Sequence, residues 1–453
     1  MVMVPQAVPE LKRFLQPLRL KDGARTMLIR MVTAFMLHAG RMTAWQAAGT
    51  IQTDPCHRAQ VCRSLGRKFW AKYDPLQVLR AGMLSLEKKS GRYVFIVDQT
   101  LHGQQGQLTE NTYSTGNRQR RPRKGVRYSS YKVARKSCHC FVMGLLITPS
   151  GFRIPFFKPF YTKDYCRKKN RPFRTQTELG ADLVKELPLP DGAEVVVLGD
   201  TAFDAESVRD ACADRHYDWI TPVNAERVLA GRKPRPQVRS LVSGLRPGQF
   251  HTLRLFPSQG ELAVYRRVSR YRIGPKVKPR TYYVHQERRD VHSVGEVQLV
   301  FSTRKSPKEK GKVEVEKILM TNNLKLATRT IVELYTLRWQ IELFFKELKS
   351  TLGMDQYRFR KFERVQGWVQ MALLTFLYLE WYRARQLARR DLPKKEKRWW
   401  ERQRTHGLCQ AIRQQTERAE LQYLAQRIKT PGGIRRLQRE LEHACPAEYR
   451  ATA

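Results

Sequence analysis

Three acidic residues sit where their neighbours could put them to work. Asp98 ends the apolar part of YVFIVDQT (93–100), and Asp200 follows the apolar run in AEVVVLGDTAF (193–203). In an open α/β sheet, functional groups gather beyond the carboxyl ends of the strands, so aspartates on two neighbouring strand ends could share a cation. Oxygen-rich sites of carboxylates and water suit Mg2+ or Mn2+. A third acid, Glu342, lies in LYTLRWQIELFFKELKS (334–350). Its neighbours Tyr335, Arg338 and Lys349 also recur at helical spacing.

Read as one helix, that segment carries two stripes. With Tyr335 at zero and about 100° per residue, Arg338 falls near 300°, Glu342 near 340° and Lys349 near 320°. The apolar Leu337, Ile341, Phe344, Phe345 and Leu348 fall at roughly 180–280°. Glu333 and Glu347, at about 160° and 120°, face elsewhere. An oily stripe can seat such a helix on a core while the polar one presents Glu342 to a site. Arg and Lys beside a metal-binding acid would contact the phosphates of a nucleic-acid strand. Simpler readings are a solvated face with an Arg338–Glu342 pair four residues apart, and, for each aspartate, a loop cap.

The elements that must position these acids follow from the surrounding pattern. Residues 1–90 carry helical periodicity, as in ARTMLIRMVTAFMLHAG (24–40), and could hold a helix-turn-helix-like DNA reader. From residue 91 to 224 strands alternate with helices. CHCFVMGLLITPSGFRIPFF (138–157) reads as two strands around Pro149-Ser150-Gly151, TQTELGADLVKELP (175–188) as a helix, and YDWITPV (217–223) as a strand. Near-continuous apolar strands imply a covered sheet with parallel members. Residues 225–325 read as a β-rich insertion of short strands: QFHTLRLF, ELAVYRRV, RTYYVHQ, VQLVFSTR and KILMTN. The helix bearing Glu342 (326–360) and a C-terminal helical region (361–453) complete the plan.

Charge points to the partner. Lys and Arg number 85 against 41 Asp and Glu, a formal charge of +44. Such an excess repels itself in a compact chain and usually serves a polyanion, first of all nucleic acid. RQRRPRKGVRYSSYKVARK (118–136), which includes Arg127 and has no acid, CRKKNRPFR (166–174) and the stretch 383–406 fit a long, salt-dependent DNA footprint. No signal-peptide order opens the chain, and GWVQMALLTFLYLEWY (367–382) reads as a buried helix, so no membrane is expected. The eight cysteines form no CxxC pair, which suggests buried thiols in a reducing cytoplasm.

The spacing Tyr335-x2-Arg338-x3-Glu342-x6-Lys349, with RWQIE inside it, resembles the Tyr-Arg-Glu-Lys signature of DDE transposases of the bacterial insertion-sequence-four group. DQT (98–100) and GDTAF (199–203) resemble the regions that carry the first and second aspartates of that family. The resemblance spans about residues 90–360. It implies an α/β chain with a ribonuclease H-like catalytic core, interrupted by a β-rich insertion and flanked by helical regions. It implies Asp98, Asp200 and Glu342 as a catalytic triad for two Mg2+ ions, with Mn2+ as a substitute. Tyr335, Arg338 and Lys349, with Lys346 and Arg127, would contact DNA. The implied activity is cleavage at the terminal inverted repeats of an insertion sequence and strand transfer into target DNA by cut-and-paste. A homodimer in the active complex and a place in the bacterial cytoplasm, at the nucleoid, would follow. A nuclease of the same fold and a silent DNA-binding descendant are the rival readings.

Overall fold

In the computed structural model, residues 7–444 are described apart from 39–42, 44–45, 48–56, 67–73, 105–107, 116–135, 232–233, 256–278 and 308–312. Arg127, most of the basic stretch 118–136 and the strand expected at ELAVYRRV lie outside the described residues. Two compact units make up the chain: residues 83–345, and residues 1–82 with 346–453.

The unit 83–345 is built on a ten-stranded sheet. Its strands are β1 (Tyr93–Gln104), β2 (Tyr113–Thr115), β3 (Lys136–Ile147), β4 (Arg153–Pro159), β5 (Val195–Leu198), β6 (Asp218–Pro222), β7 (His251–Leu255), β8 (Arg280–Val291), β9 (Gly295–Thr303) and β10 (Lys317–Thr321). β4 and β3 form the hairpin expected around Ser150, with Gly151 at a φ of 80° in its turn. β3 runs antiparallel to β1, and β1, β5 and β6 run parallel. This succession, β4-β3-β1-β5-β6, is the ribonuclease H-like core, an α/β fold. The strands at 251–321 do not form a separate sheet. β10 pairs antiparallel with β6, and β9, β8 and β7 continue outward from it.

Burial explains the central strands. All four residues of β5 are buried, as a parallel strand covered on both faces requires. Between β1 and β3, Phe95 lies so close to Gly144 that a Cβ there would meet its ring at 2.3 Å. Helices follow the strands: α1 (Lys163–Lys169), α2 (Gln176–Lys185), α3 (Glu206–Asp214), α4 (Val238–Gly244), α5 (Thr328–Thr336) and α6 (Trp339–Ser350). Thr175 and Glu178 cap α2 reciprocally, so TQTE starts the helix where its sequence says it should.

The other unit is helical. Residues Ala7–Leu15, Asp22–Leu37, His57–Leu65, Phe362–Leu387, Lys394–Arg402, Thr405–Ile428 and Gly433–Ala444 are among its helices. Phe362–Leu387 is buried along nearly all its length, and Phe14 packs on Tyr378 and Trp381 with ring centroids 5.3 Å away. A Cβ on Gly367 would meet the Leu65 carbonyl oxygen at 2.3 Å, so only glycine lets these two helices approach so closely. No described helix is long and apolar enough to cross a membrane.

Candidate active site

β1 and β5 pair from Tyr93↔Val195 to Ile96↔Leu198. Asp98 and Asp200 each stand two residues past the last pair, so the two aspartates leave the parallel ladder at the same level. They do so differently. β5 ends at Leu198, whereas β1 runs on to Gln104 against β3, with Asp98 opposite Met143. The expectation of a strand end at Asp98 is therefore corrected: the apolar run stops there but the strand does not. Its polar continuation keeps its backbone hydrogen bonds through β3.

After β5 the chain folds into a single 3-10 turn, Thr201–Phe203, and Asp200 caps it. Asp200 Oδ1 accepts from the N–H groups of Ala202 at 2.9 Å and Phe203 at 3.3 Å. Phe203 is buried against α2, where a Cβ on Gly180 would come within 2.9 Å of its ring. Asp204 fixes the far side of the turn by ion pairs to Arg209, at 2.6 Å, and to Arg227. Together the cap, the buried ring and the ion pairs hold Asp200 Oδ1 in place. Among the described residues no hydrogen bond engages Oδ2.

Glu342 comes from α6, and here one expectation needs correcting. Residues 334–350 are not one helix but the end of α5 and all of α6, joined through Leu337 and Arg338. The joint is tightened by bonds three residues apart: Leu337 N–H to Leu334 O, Arg338 N–H to Tyr335 O, Gln340 N–H to Leu337 O and Ile341 N–H to Arg338 O. Thr336 Oγ1 donates to Glu333 O at 2.6 Å, a side-chain bond that competes with the regular ladder. The apolar Ile341, Phe344 and Leu348 are buried as the wheel requires.

Arg338 ties the acids together. Its Nη2 donates to Glu342 Oε1 at 2.7 Å, and its Nη1 lies 3.5 Å from Asp98 Oδ2. The side chains are 17% exposed for Arg338, 14% for Asp98 and 34% for Glu342. Burial pushes the Asp98 carboxyl up to about 6, against the backbone N–H of Gln99; Asp200 and Glu342 push it further and Arg338 opposes them. Three carboxylates and one guanidinium thus share one electrostatic environment. The donors are all carboxylate oxygens, the type that suits a hard divalent ion. As placed, no group of three such side chains among the described residues is arranged to hold a metal, and Arg338 spans Asp98 and Glu342 instead.

Tyr335 is only 8% exposed, and its carbonyl oxygen accepts the backbone N–H of Arg338 at 3.1 Å. Burial pushes the Tyr335 hydroxyl up to about 12. Its ring carries a cation that sequence reasoning missed, Lys317 Nζ, 4.9 Å from the centroid. Nothing in KILMTN marks that lysine; only the register of β10 brings it here. Lys346 is exposed and Lys349 half-buried, both beyond Phe345 and so in the helical unit. Glu347, set aside by the wheel, is buried and accepts from Thr405 Oγ1 at 3.1 Å. Glu333 is exposed and pairs with Arg329. In the basic stretch after β4, Arg171 and Lys169 lie over the rings of Tyr161 and Tyr165.

Cys138 and Cys140 are buried thiols on one face of β3, as the alternation predicts. His102 is buried against Phe141 in β1.

No curated protein matches the chain. A family model, that of the transposase DDE domain, matches residues 89–378. That span takes in the parallel ladder, the capped turn, the joint at Arg338 and all three acids. It covers well over half of the sequence, and the chain belongs to the transposase DDE domain family.

Proposed function

We propose that this transposase cleaves phosphodiester bonds at the ends of an insertion sequence and joins the freed ends to target DNA by cut-and-paste, with Asp98, Asp200 and Glu342 as its catalytic carboxylates. The observation that carries the reading is Arg338 held between Asp98 and Glu342 while Asp200 acts on the same Asp98 proton. Two Mg2+ ions on these carboxylates, or Mn2+ in their place, would supply an activated water or DNA 3′-OH and neutralise the leaving oxygen.

The chain's own groups account for the rest. Asp200 offers Oδ2 from a turn that its Oδ1 already locks, so this donor is pre-positioned at little further entropic cost. Asp98, buried and facing two other acids, favours a cation beside it. Arg338 stands next to both carboxylates with a planar fork suited to phosphate. Tyr335, beside Arg338 at the joint, is a proposed DNA contact with it. Lys346, Lys349 and Arg127 complete the proposed DNA contacts. Two ends must be brought together, so the active complex is proposed as a homodimer on terminal inverted repeats, acting at the bacterial nucleoid.

The test is purified protein with Mg2+ and a duplex carrying the terminal inverted repeats. Cleavage and joining are expected, and Glu342→Gln, Asp98→Asn and Asp200→Asn should each abolish both. Cleavage without joining would assign a nuclease instead. Specific binding without cleavage would assign a silent DNA-binding protein.

A further inference from the structure

We propose that Lys317 binds a backbone phosphate of the DNA strand at the active site, with Tyr335 serving as its platform. The inference rests on the function proposed above and adds a substrate-contacting residue to it.

Topology makes the first part of the case. β10 runs antiparallel to β6, with Leu319 opposite Pro222 and Thr321 opposite Ile220. Its first residue, Lys317, therefore lies at the carboxyl edge of the parallel strands, the edge at which Asp98 and Asp200 leave the ladder. β9 returns to the same edge, where Ser302 pairs with Lys317 and Arg304 follows. In α/β sheets this is the edge at which ligands are met.

Side-chain placement makes the second. The Lys317 ammonium lies over the Tyr335 ring, and the Tyr335 carbonyl accepts the backbone N–H of Arg338, whose guanidinium holds Asp98 and Glu342. One chain of contacts thus runs from Lys317 to the carboxylates. The charges facing Lys317 are Arg338 and Arg304 against Glu342 and Glu316. Glu316 is shared with Arg304, 3.5 Å from its Nε, and Glu342 with Arg338. Lys317 is exposed at the first position of β10 and has no carboxylate within ion-pair distance among the described residues. A cation placed among cations at the rim of an acidic site is poorly matched by its own protein. A phosphate, with two charged oxygens, matches it, and a π face fixes an ammonium without using up its donors.

Equilibrium binding to the inverted-repeat duplex, measured without divalent ions over a salt series, reads Lys317 independently of catalysis. Lys317→Met keeps the aliphatic packing on Tyr335 and should lower the slope of log affinity against log salt by about one contact, while Lys317→Arg should leave it. In Mg2+, Lys317→Met should slow single-turnover cleavage by about 10- to 100-fold. Replacing one phosphate near the cut by a methylphosphonate should erase that defect at one position only. An unchanged salt slope, or a defect that persists at every methylphosphonate position, would overturn the proposal. Unimpaired cleavage by Glu342→Gln would overturn the carboxylate assignment instead, and the salt series would still report on Lys317.

Discussion

The two strands that carry the aspartates solve the same problem in opposite ways. β5 stops, and its aspartate is fixed by local chemistry: two backbone N–H groups on one oxygen, a phenylalanine ring seated on a glycine, and a neighbouring acid clamped by two arginines. β1 continues, and its aspartate sits in a ladder that would hold any residue in that place. What distinguishes Asp98 is its surroundings, in which burial and two other acids oppose its charge. Asp200 contributes to the stability of its own turn, whereas Asp98 is a charge that the fold tolerates. Preorganisation at one position is bonded, and at the other it is electrostatic.

The comparison breaks most visibly in activity. Removing the charge at either position, or at Glu342, should lower cleavage by at least about a thousandfold, read as single-turnover rate in Mg2+. Loss at only one of the three would mean that the carboxylates do not act together. Next in size is the scaffold of the turn. Phe203→Ala removes a fully buried ring and should cost about 3–5 kcal/mol in denaturant unfolding. No similar effect is expected from Gln99 beside Asp98.

Smaller in size but sharper in sign is the contrast in metal-free stability. The folded-state pKa of Asp98 is raised, so its carboxyl adds stability at low pH that is lost as pH rises from about 4 through about 6. Asp98→Asn should therefore stabilise the metal-free protein at pH 8 by about 1–3 kcal/mol, and have no such effect at pH 4. Asp200→Ala removes a cap and should destabilise by about 0.5–2 kcal/mol at pH 8. Equal signs for the two substitutions would sink the distinction. The smallest effect belongs to Glu333, an exposed acid paired with Arg329: Glu333→Gln should change stability by less than about 0.5 kcal/mol and leave cleavage intact.

Much of this arrangement was legible before any coordinates. YVFIVD and VVVLGD mark buried strands because a parallel sheet covered on both faces leaves no polar alternation. The distinction among Glu333, Glu342 and Glu347 followed from helical geometry; in the structure Glu342 bonds to Arg338, Glu347 is buried against Thr405 and Glu333 is exposed beside Arg329. The break itself was not legible. It coincides with Thr336 bonding back to Glu333 O, a bond that competes with a helix that the apolar spacing alone supports. The run of β1 past Asp98 was also hidden, since its polar half is supported by β3 forty residues later. Lys317 was invisible for the same reason. Its place depends on antiparallel pairing between β10 and β6, almost a hundred residues apart in the chain, and no local pattern records such a register.

The divided use of the Asp200 carboxylate has a genetic consequence. The cap needs an oxygen on Oδ1 and no charge, so asparagine would serve it equally well. Either aspartate codon becomes an asparagine codon by a single transition at its first base. One such change would leave the turn, the sheet and the basic surfaces standing while removing a catalytic charge. For this gene, losing the ability to cut and keeping the ability to fold lie one point mutation apart.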